Sequence, residues 1–267
     1  MKKYLSFFRL RFTMGLQYRA AALAGIATQF FWGFMEIMVF RAFYRADPAA
    51  FPLPFPAMAD YIWLQQAFLA LFATWIMDQD VFDTILSGNV AYELCRPLHV
   101  YDMWLARTSA NRISRAVLRC FSILFVAIFL PEPYCLHAPE SVFTFVLFLI
   151  SLLLGLAVTV SFCMLIYVLA FFTISPQGLR IFCTSAVEFF AGAIIPLPFF
   201  PPKIQFVMEL LPFAAMQNVP LRVYSGSMAS HEAIRAILLQ VVWLVILIAI
   251  GRLLSFVAER RTVIQGG

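Results

Sequence analysis

Two carboxylates stand where carboxylates are costly. Glu36 and Glu188 each interrupt a long apolar run, and at hydrocarbon depth an acid costs at least ~2.5 kcal/mol unless it is paired, protonated or turned to water. Acids so placed are candidates for lining a route taken by cations or protons. The competing reading makes each a neutral carboxyl hydrogen-bonded to a neighbouring helix, or has Glu36 reaching Arg41.

Other chemistry is thinly represented. His99, His137 and His231 are far apart, none belongs to an H-E-x-x-H pattern, and no G-x-S-x-G elbow is present. Cys95, Cys120, Cys135, Cys163 and Cys183 form no C-x-x-C pair and no metal-ligand spacing, so no metal site and no catalytic centre are expected. Cys135 alone falls in a segment placed outside, which leaves it without a disulfide partner. A phosphate-cradling loop needs G-x-x-x-x-G-K-[ST], yet none of the three lysines, Lys2, Lys3 and Lys203, follows a glycine. If ATP drives this chain, another chain binds it.

The elements that position the two acids follow from composition. Hydrophobic residues make up 63% of the chain and charged residues 12%, with 30 phenylalanines, so lipid is the solvent for most of it. The net charge of +5 is confined to loops and helix ends, which excludes a basic nucleic-acid patch. A crossing needs about 20 apolar helical residues, and such segments are expected at about 20–43, 58–77, 113–130, 141–172, 181–195 and 233–256. The fourth exceeds the hydrocarbon thickness, so tilt, protrusion or a bend near Gly155 must absorb the excess. Trp63, Trp75 and Trp104, near span ends, suit interfacial anchoring. The aromatic groups Phe30, Phe31, Trp32, Phe34, Phe189 and Phe190 read first as lipid-facing packing and second as lining for a greasy route.

Residues 1–18 carry an apolar stripe at Met1, Leu5, Phe8, Phe12 and Leu16 opposite Lys2, Ser6, Arg9, Thr13 and Gln17. That pattern predicts an amphipathic helix lying in the headgroup region, which enters the membrane as an elbow. Arg9, Arg11 and Arg19 interrupt any signal-peptide core, and the segment is expected to be retained. A Pro-dense run at Pro196, Pro198, Pro201 and Pro202, a short amphipathic stretch over 203–211, and Pro212 and Pro220 predict a re-entrant or interfacial outer segment. With the N-terminus inside, fourteen of the 19 Lys and Arg residues lie on the inner side, and Arg41, Arg45, Lys203, Arg222 and Arg235 lie outside. Both termini are therefore expected in the cytoplasm.

The longest hydrophilic stretch, 78–112, lies between the second and third expected spans. Within it Val81, Phe82, Ile85 and Leu86 share one face of a short helix that could meet a partner, with Asp80 and Asp83 in its first turn. Taken alone, the stretch could equally be a solvated loop with a membrane-hugging face. After this short helix come Ser87 and Gly88, then Leu94, Arg96, Pro97 and Leu98. Here the sequence resembles the permeases of the ABC-2 type transporter family, in which a Ser/Glu-Gly step precedes Leu-x-Arg-Pro-Leu. A second resemblance lies in Gly192, Ile195, Pro196, Phe200, Pro201, Leu211, Pro212, Phe213 and Pro220, which fit the family's Pro-punctuated outer segment.

The resemblance implies a single all-α membrane domain over 1–267, with six transmembrane helices, an N-terminal elbow helix, a cytoplasmic coupling helix and a re-entrant outer segment. It implies that Asp80, Val81, Phe82, Asp83, Ile85, Leu86, Ser87 and Gly88 form the coupling helix that docks on a separate ATPase. It also places Glu36 and Glu188 along the translocation path. The expected partners are cytoplasmic ABC ATPase subunits, a second permease and membrane lipid, without nucleic acid. This chain would bind no cofactor, ATP and Mg belonging to the ATPase. The expected role is export of a small amphiphile across a bacterial inner membrane. An ATP-independent secondary carrier is the first alternative, and an integral membrane enzyme acting on lipid the second.

Overall fold

The computed structural model describes residues 2–173 and 175–261, and among these every regular element is helical. In order they are α1 (Lys2–Gly15), α2 (Arg19–Ala46), α3 (Phe55–Phe72), α4 (Gln79–Leu86), α5 (Val90–Leu94), α6 (Val100–Ile128), α7 (Val142–Leu169), α8 (Pro176–Phe190), α9 (Pro202–Leu210), α10 (Asn218–Tyr224) and α11 (Ser230–Arg261). Short 3-10 turns at Ala170–Phe172 and Leu197–Phe199 follow α7 and α8. The segments Arg19–Ala46, Val142–Phe172 and Ser230–Arg260 are long and apolar enough to cross a membrane.

The hub is α3, which packs against α2, α6, α7 and α10 while α11 lies along α7. Prolines set several starts: Pro56 in the first turn of α3, Pro176 opening α8 and Pro202 opening α9 occupy positions whose N–H would be unsatisfied anyway. A buried polar clip joins α7 to α11. Gln240 accepts from the Ser151 hydroxyl at 3.0 Å and donates to the carbonyls of Ser151 and Ala215 at 3.1 and 2.8 Å.

Several expected boundaries shift, each for a physical reason. The helix expected from residue 113 begins at Val100, because Arg107 and Arg112 are buried against aspartates and backbone carbonyls instead of marking a loop. The helix expected to reach residue 77 stops at Phe72, where Arg112 takes over its last carbonyls. No break interrupts α7 at Gly155. α8 ends at Phe190, and α11 runs longer at both ends than 233–256.

The stretch after Pro212 does not stay on the surface. α10 buries Asn218, Val219, Pro220, Leu221, Arg222 and Val223, and Arg222, expected as an outer loop charge, pairs with Glu209 of α9. Two of the three tryptophans assigned to interfacial anchoring are inside the chain. Trp63 donates to the Tyr134 carbonyl at 2.8 Å and Trp104 to Glu93 at 2.7 Å, so their N–H groups are satisfied by protein and not by headgroups.

α1 packs along α6. Met1 of the expected stripe lies outside the described residues, and Leu5 points outward, 69% exposed. The half-buried residues are Tyr4, Phe7, Phe8, Arg11, Phe12, Gly15 and Leu16, so Phe8, Phe12 and Leu16 of the expected stripe do turn inward. Tyr4 accepts a hydrogen bond from the His99 N–H at 3.0 Å, which ties α1 to the turn before α6.

Candidate functional site

Glu36 and Glu188, separated by most of the chain, line one cavity of about 1150 Å³. Its walls come from α2, α3, α8 and the turns after α8, and they are mostly apolar. Gln66 of α3 donates to the Glu36 carboxylate at 3.3 Å. The proposed reach from Glu36 to Arg41 is absent, since the Arg41 guanidinium lies over the Tyr134 ring at 5.1 Å. The half-buried Glu188 carboxylate makes no hydrogen bond or ion pair among the described residues. Gln65 faces the same space and anchors the turn after α8 by donating to the Ala193 carbonyl at 2.8 Å.

Of the aromatic residues weighed for a greasy route, Trp32 lines the cavity. Phe30 and Phe34 instead pack edge-on against Trp63, at 5.9 and 5.1 Å between ring centres. Phe31 is exposed on the outside of α2, and Phe190 stacks on Phe213.

Sequence reading missed several cavity residues, Gln65, Gln66 and Arg119 among them. Arg119, counted with the inner-side charges, lines this cavity and also a second one of about 570 Å³. Its guanidinium lies against α2, where a Cβ on Gly25 would sit 2.5 Å from Cζ, so a larger residue there would make the arginine move. Arg119 forms no ion pair among the described residues. The available signal was that Arg119, like Arg115, falls inside an expected span.

The end of the bundle that carries α4 holds a dense polar network. Asp78 caps α4 by accepting from the Asp80 N–H at 3.2 Å. Arg107 of α6 donates to both Asp78 oxygens at 2.6 and 2.9 Å and to Asp80 at 2.7 Å, and Asn111 adds a bond to Asp78 at 3.2 Å. Burial works against the Arg107 charge, but the two aspartates outweigh it and hold its pKa above the ordinary arginine value. From α7, the Tyr167 hydroxyl accepts from the Asp78 N–H at 2.7 Å. From α8, Arg180 donates to Gln79 and to the Trp75 carbonyl, both at 3.1 Å, and lies over the Phe82 ring.

Those contacts correct the expected docking face. Val81 and Phe82 are buried within the chain, Phe82 packing on Tyr167 at 5.0 Å between ring centres. The apolar stripe of α4 is therefore its root, and the surface it offers is Asp80, Asp83, Leu86, Ser87 and Gly88, with Ile85 half-buried. Gly88 stops the helix with φ of 75°, a left-handed conformation that glycine adopts at no steric cost. In the following turn Leu94 and Leu98 pack against the core while Arg96 and Pro97 are exposed.

Arg112, also counted as a loop charge, is a buried helix cap. It donates to the carbonyls of Ala70, Leu71 and Ala73 at 3.3, 3.1 and 2.9 Å, to that of Ile76 at 3.0 Å, and to the Cys163 sulfur at 3.2 Å. A guanidinium among the orphan carbonyls at the end of α3 satisfies them and complements the helix dipole.

A third polar cluster lies in the loop between α6 and α7, where the spacing was read as giving no metal site. There Glu132, Cys135 and His137 hold their side-chain donor atoms within 4.8 Å of one another. The local pattern E-x-x-C-x-H was legible, but single occurrences of three residue types in one loop carry little weight without the fold.

No curated protein matches the chain. A family model described as ABC-2 family transporter protein matches residues 30–266, which takes in α3 to α11 and both cavity acids. With its three long apolar helices, this multi-pass membrane protein belongs to the ABC-2 family of transporter proteins.

Proposed function

We propose that this chain is the permease of an ATP-driven exporter, with ATP hydrolysed by separate cytoplasmic subunits and the substrate a small amphiphile. The observation that carries this reading is the construction of α4, which is bolted to α6, α7 and α8 on one side and bare on the other. A short rigid element with that asymmetry transmits a push from a docked partner. Its tie to α8 through Arg180 matters most, because Glu188 lies eight residues along the same helix, about 12 Å away. Displacement of α4 would thereby move one wall of the cavity.

In this reading the chain crosses a bacterial inner membrane six times with both termini in the cytoplasm. α1 serves as the elbow, and the segment of α9 and α10 enters from the outer side. A second permease covers the sparsely packed outer faces of α2 and α8. Two carboxylates on a largely apolar wall favour amphiphiles that carry a positive charge. Arg119, at the inner end of the cavity, would discourage return of the same cation to the cytoplasm.

The test is purification from the native membrane followed by reconstitution. An ATPase subunit should copurify, and transport should require ATP. Transport without such a partner, driven by a proton gradient and abolished by Glu36→Gln, would replace this reading with a secondary carrier.

A further inference from the structure

The loop between α6 and α7 carries donor atoms arranged as a transition ion arranges them. The Cys135 sulfur lies 3.6 Å from His137 Nε2, and Nε2 lies 3.2 Å from a Glu132 carboxylate oxygen. Zinc bonds of about 2.3 Å to sulfur and about 2.0 Å to nitrogen and oxygen, at tetrahedral angles, place S and N about 3.5 Å apart and N and O about 3.3 Å apart. The two separations match the edges of that tetrahedron.

The histidine is also oriented as a ligand. Its other ring nitrogen, Nδ1, lies 3.0 Å from Asp60 of α3, and the same aspartate oxygen accepts the His137 backbone N–H at 2.8 Å. The Tyr224 hydroxyl donates to the His137 carbonyl at 3.0 Å. A carboxylate on the far nitrogen fixes the tautomer and raises the basicity of the nitrogen that binds metal. Cys135 is buried, whereas Glu132 reaches solvent, so an ion could enter past the glutamate.

We propose that Glu132, Cys135 and His137 form a Zn²⁺ site that pins this loop to α3 through Asp60, a fourth position being left for water. A thiolate, an imidazole and a carboxylate suit a borderline ion such as Zn²⁺ and suit Mg²⁺ or Ca²⁺ poorly. The proposal is independent of what the cavity transports.

The experiment uses the full chain purified in detergent with a histidine-free tag, under reductant, titrated with Co²⁺ and then Zn²⁺. One Co²⁺ per chain should give a near-ultraviolet thiolate charge-transfer band with tetrahedral visible bands, all removed by Zn²⁺. Cys135→Ser should abolish the charge-transfer band. Because Cys135 is packed, the exposed Glu132→Gln serves as the variant that leaves the fold alone. It should weaken Zn²⁺ binding at least tenfold, and Asp60→Asn, behind the histidine, by about 10- to 100-fold. Zn²⁺ should also raise the thermal midpoint of the wild-type chain but not of Cys135→Ser. Absence of one-to-one binding, a band that survives Cys135→Ser, or unchanged affinity in Glu132→Gln overturns the site.

Discussion

α3 and α2 face the same cavity but are held very differently. α3 buries 14 of its 18 residues, and α2 buries five of its 28. One wall of the cavity is thus part of the hub, and the other leans on it along a single stripe of Ala22, Gln29, Gly33, Ile37 and Phe40. α8 resembles α2, with Pro176, Thr184 and Val187 buried. Glu36 and Glu188 both stand on the loosely held walls, while the glutamines opposite, Gln65 and Gln66, stand on the fixed one. In the proposed transport cycle, such a cavity would change shape by moving its acids past the α3 surface.

That contrast breaks most completely if the fixed wall is loosened. Arg112→Met strips the cap from α3 and leaves several buried carbonyls without donors, each worth about 1–3 kcal/mol. The expected loss is roughly 3–5 kcal/mol, read as a fall in the unfolding midpoint of the detergent-solubilised chain. Arg112→Lys should recover part of it, since an ammonium reaches fewer carbonyls than the guanidinium fork. A variant with wild-type stability would show that α3 needs no cap, and the distinction between the walls would lose its basis.

Arg112 also explains what sequence reading could and could not reach. The apolar helices were legible because lipid demands long uninterrupted runs, and the inner-loop residues from Ser87 to Leu98 were legible as a local pattern. Buried arginines were not. In a loop Arg107 and Arg112 read as solvated charges, and only the fold shows two aspartates converging on one and four carbonyls on the other. The apolar residues of α4 were legible as a pattern, but periodicity tells which residues share a face and not what covers it: Val81 and Phe82 are buried within the chain and Leu86 is exposed. The Glu132, Cys135 and His137 cluster was overlooked for a related reason: His137 is set by Asp60, 77 positions away.

A smaller effect is expected where α4 is rooted. Phe82→Ala removes a buried ring from Tyr167 and should cost about 3 kcal/mol, with the chain still inserted but ATP hydrolysis and transport uncoupled. Asp78→Asn weakens the paired grip of Arg107 and should cost about 1.5–3 kcal/mol, with the same uncoupling. Leu86→Asp sharpens the point, because Leu86 is exposed and the substitution should change stability by less than about 0.5 kcal/mol. If ATPase docking uses this face, Leu86→Asp alone abolishes stimulated turnover in a fully stable protein. Normal transport in Leu86→Asp would move the docking surface elsewhere.

The smallest changes are expected on the movable wall, and they bear on selectivity more than on stability. Glu188→Gln is nearly isosteric and breaks no hydrogen bond of the described chain, so folding should be unaffected. A carboxylate about 4–8 Å from a bound cation contributes about 2–4 kcal/mol at an effective dielectric near 20, less where water enters the cavity. Removing it should weaken export of a cationic amphiphile several-fold or more against a neutral analogue of the same shape, measured as a ratio in one vesicle preparation. Glu36→Gln should shift the ratio in the same direction but less, since Gln66 already occupies part of that carboxylate. Gln66→Leu, which removes the donor that stabilises the Glu36 carboxylate on an apolar wall, favours the neutral acid and should likewise lower cation preference. Equal losses for charged and neutral substrates in all three variants would mean that the acids hold the walls together instead of sensing charge.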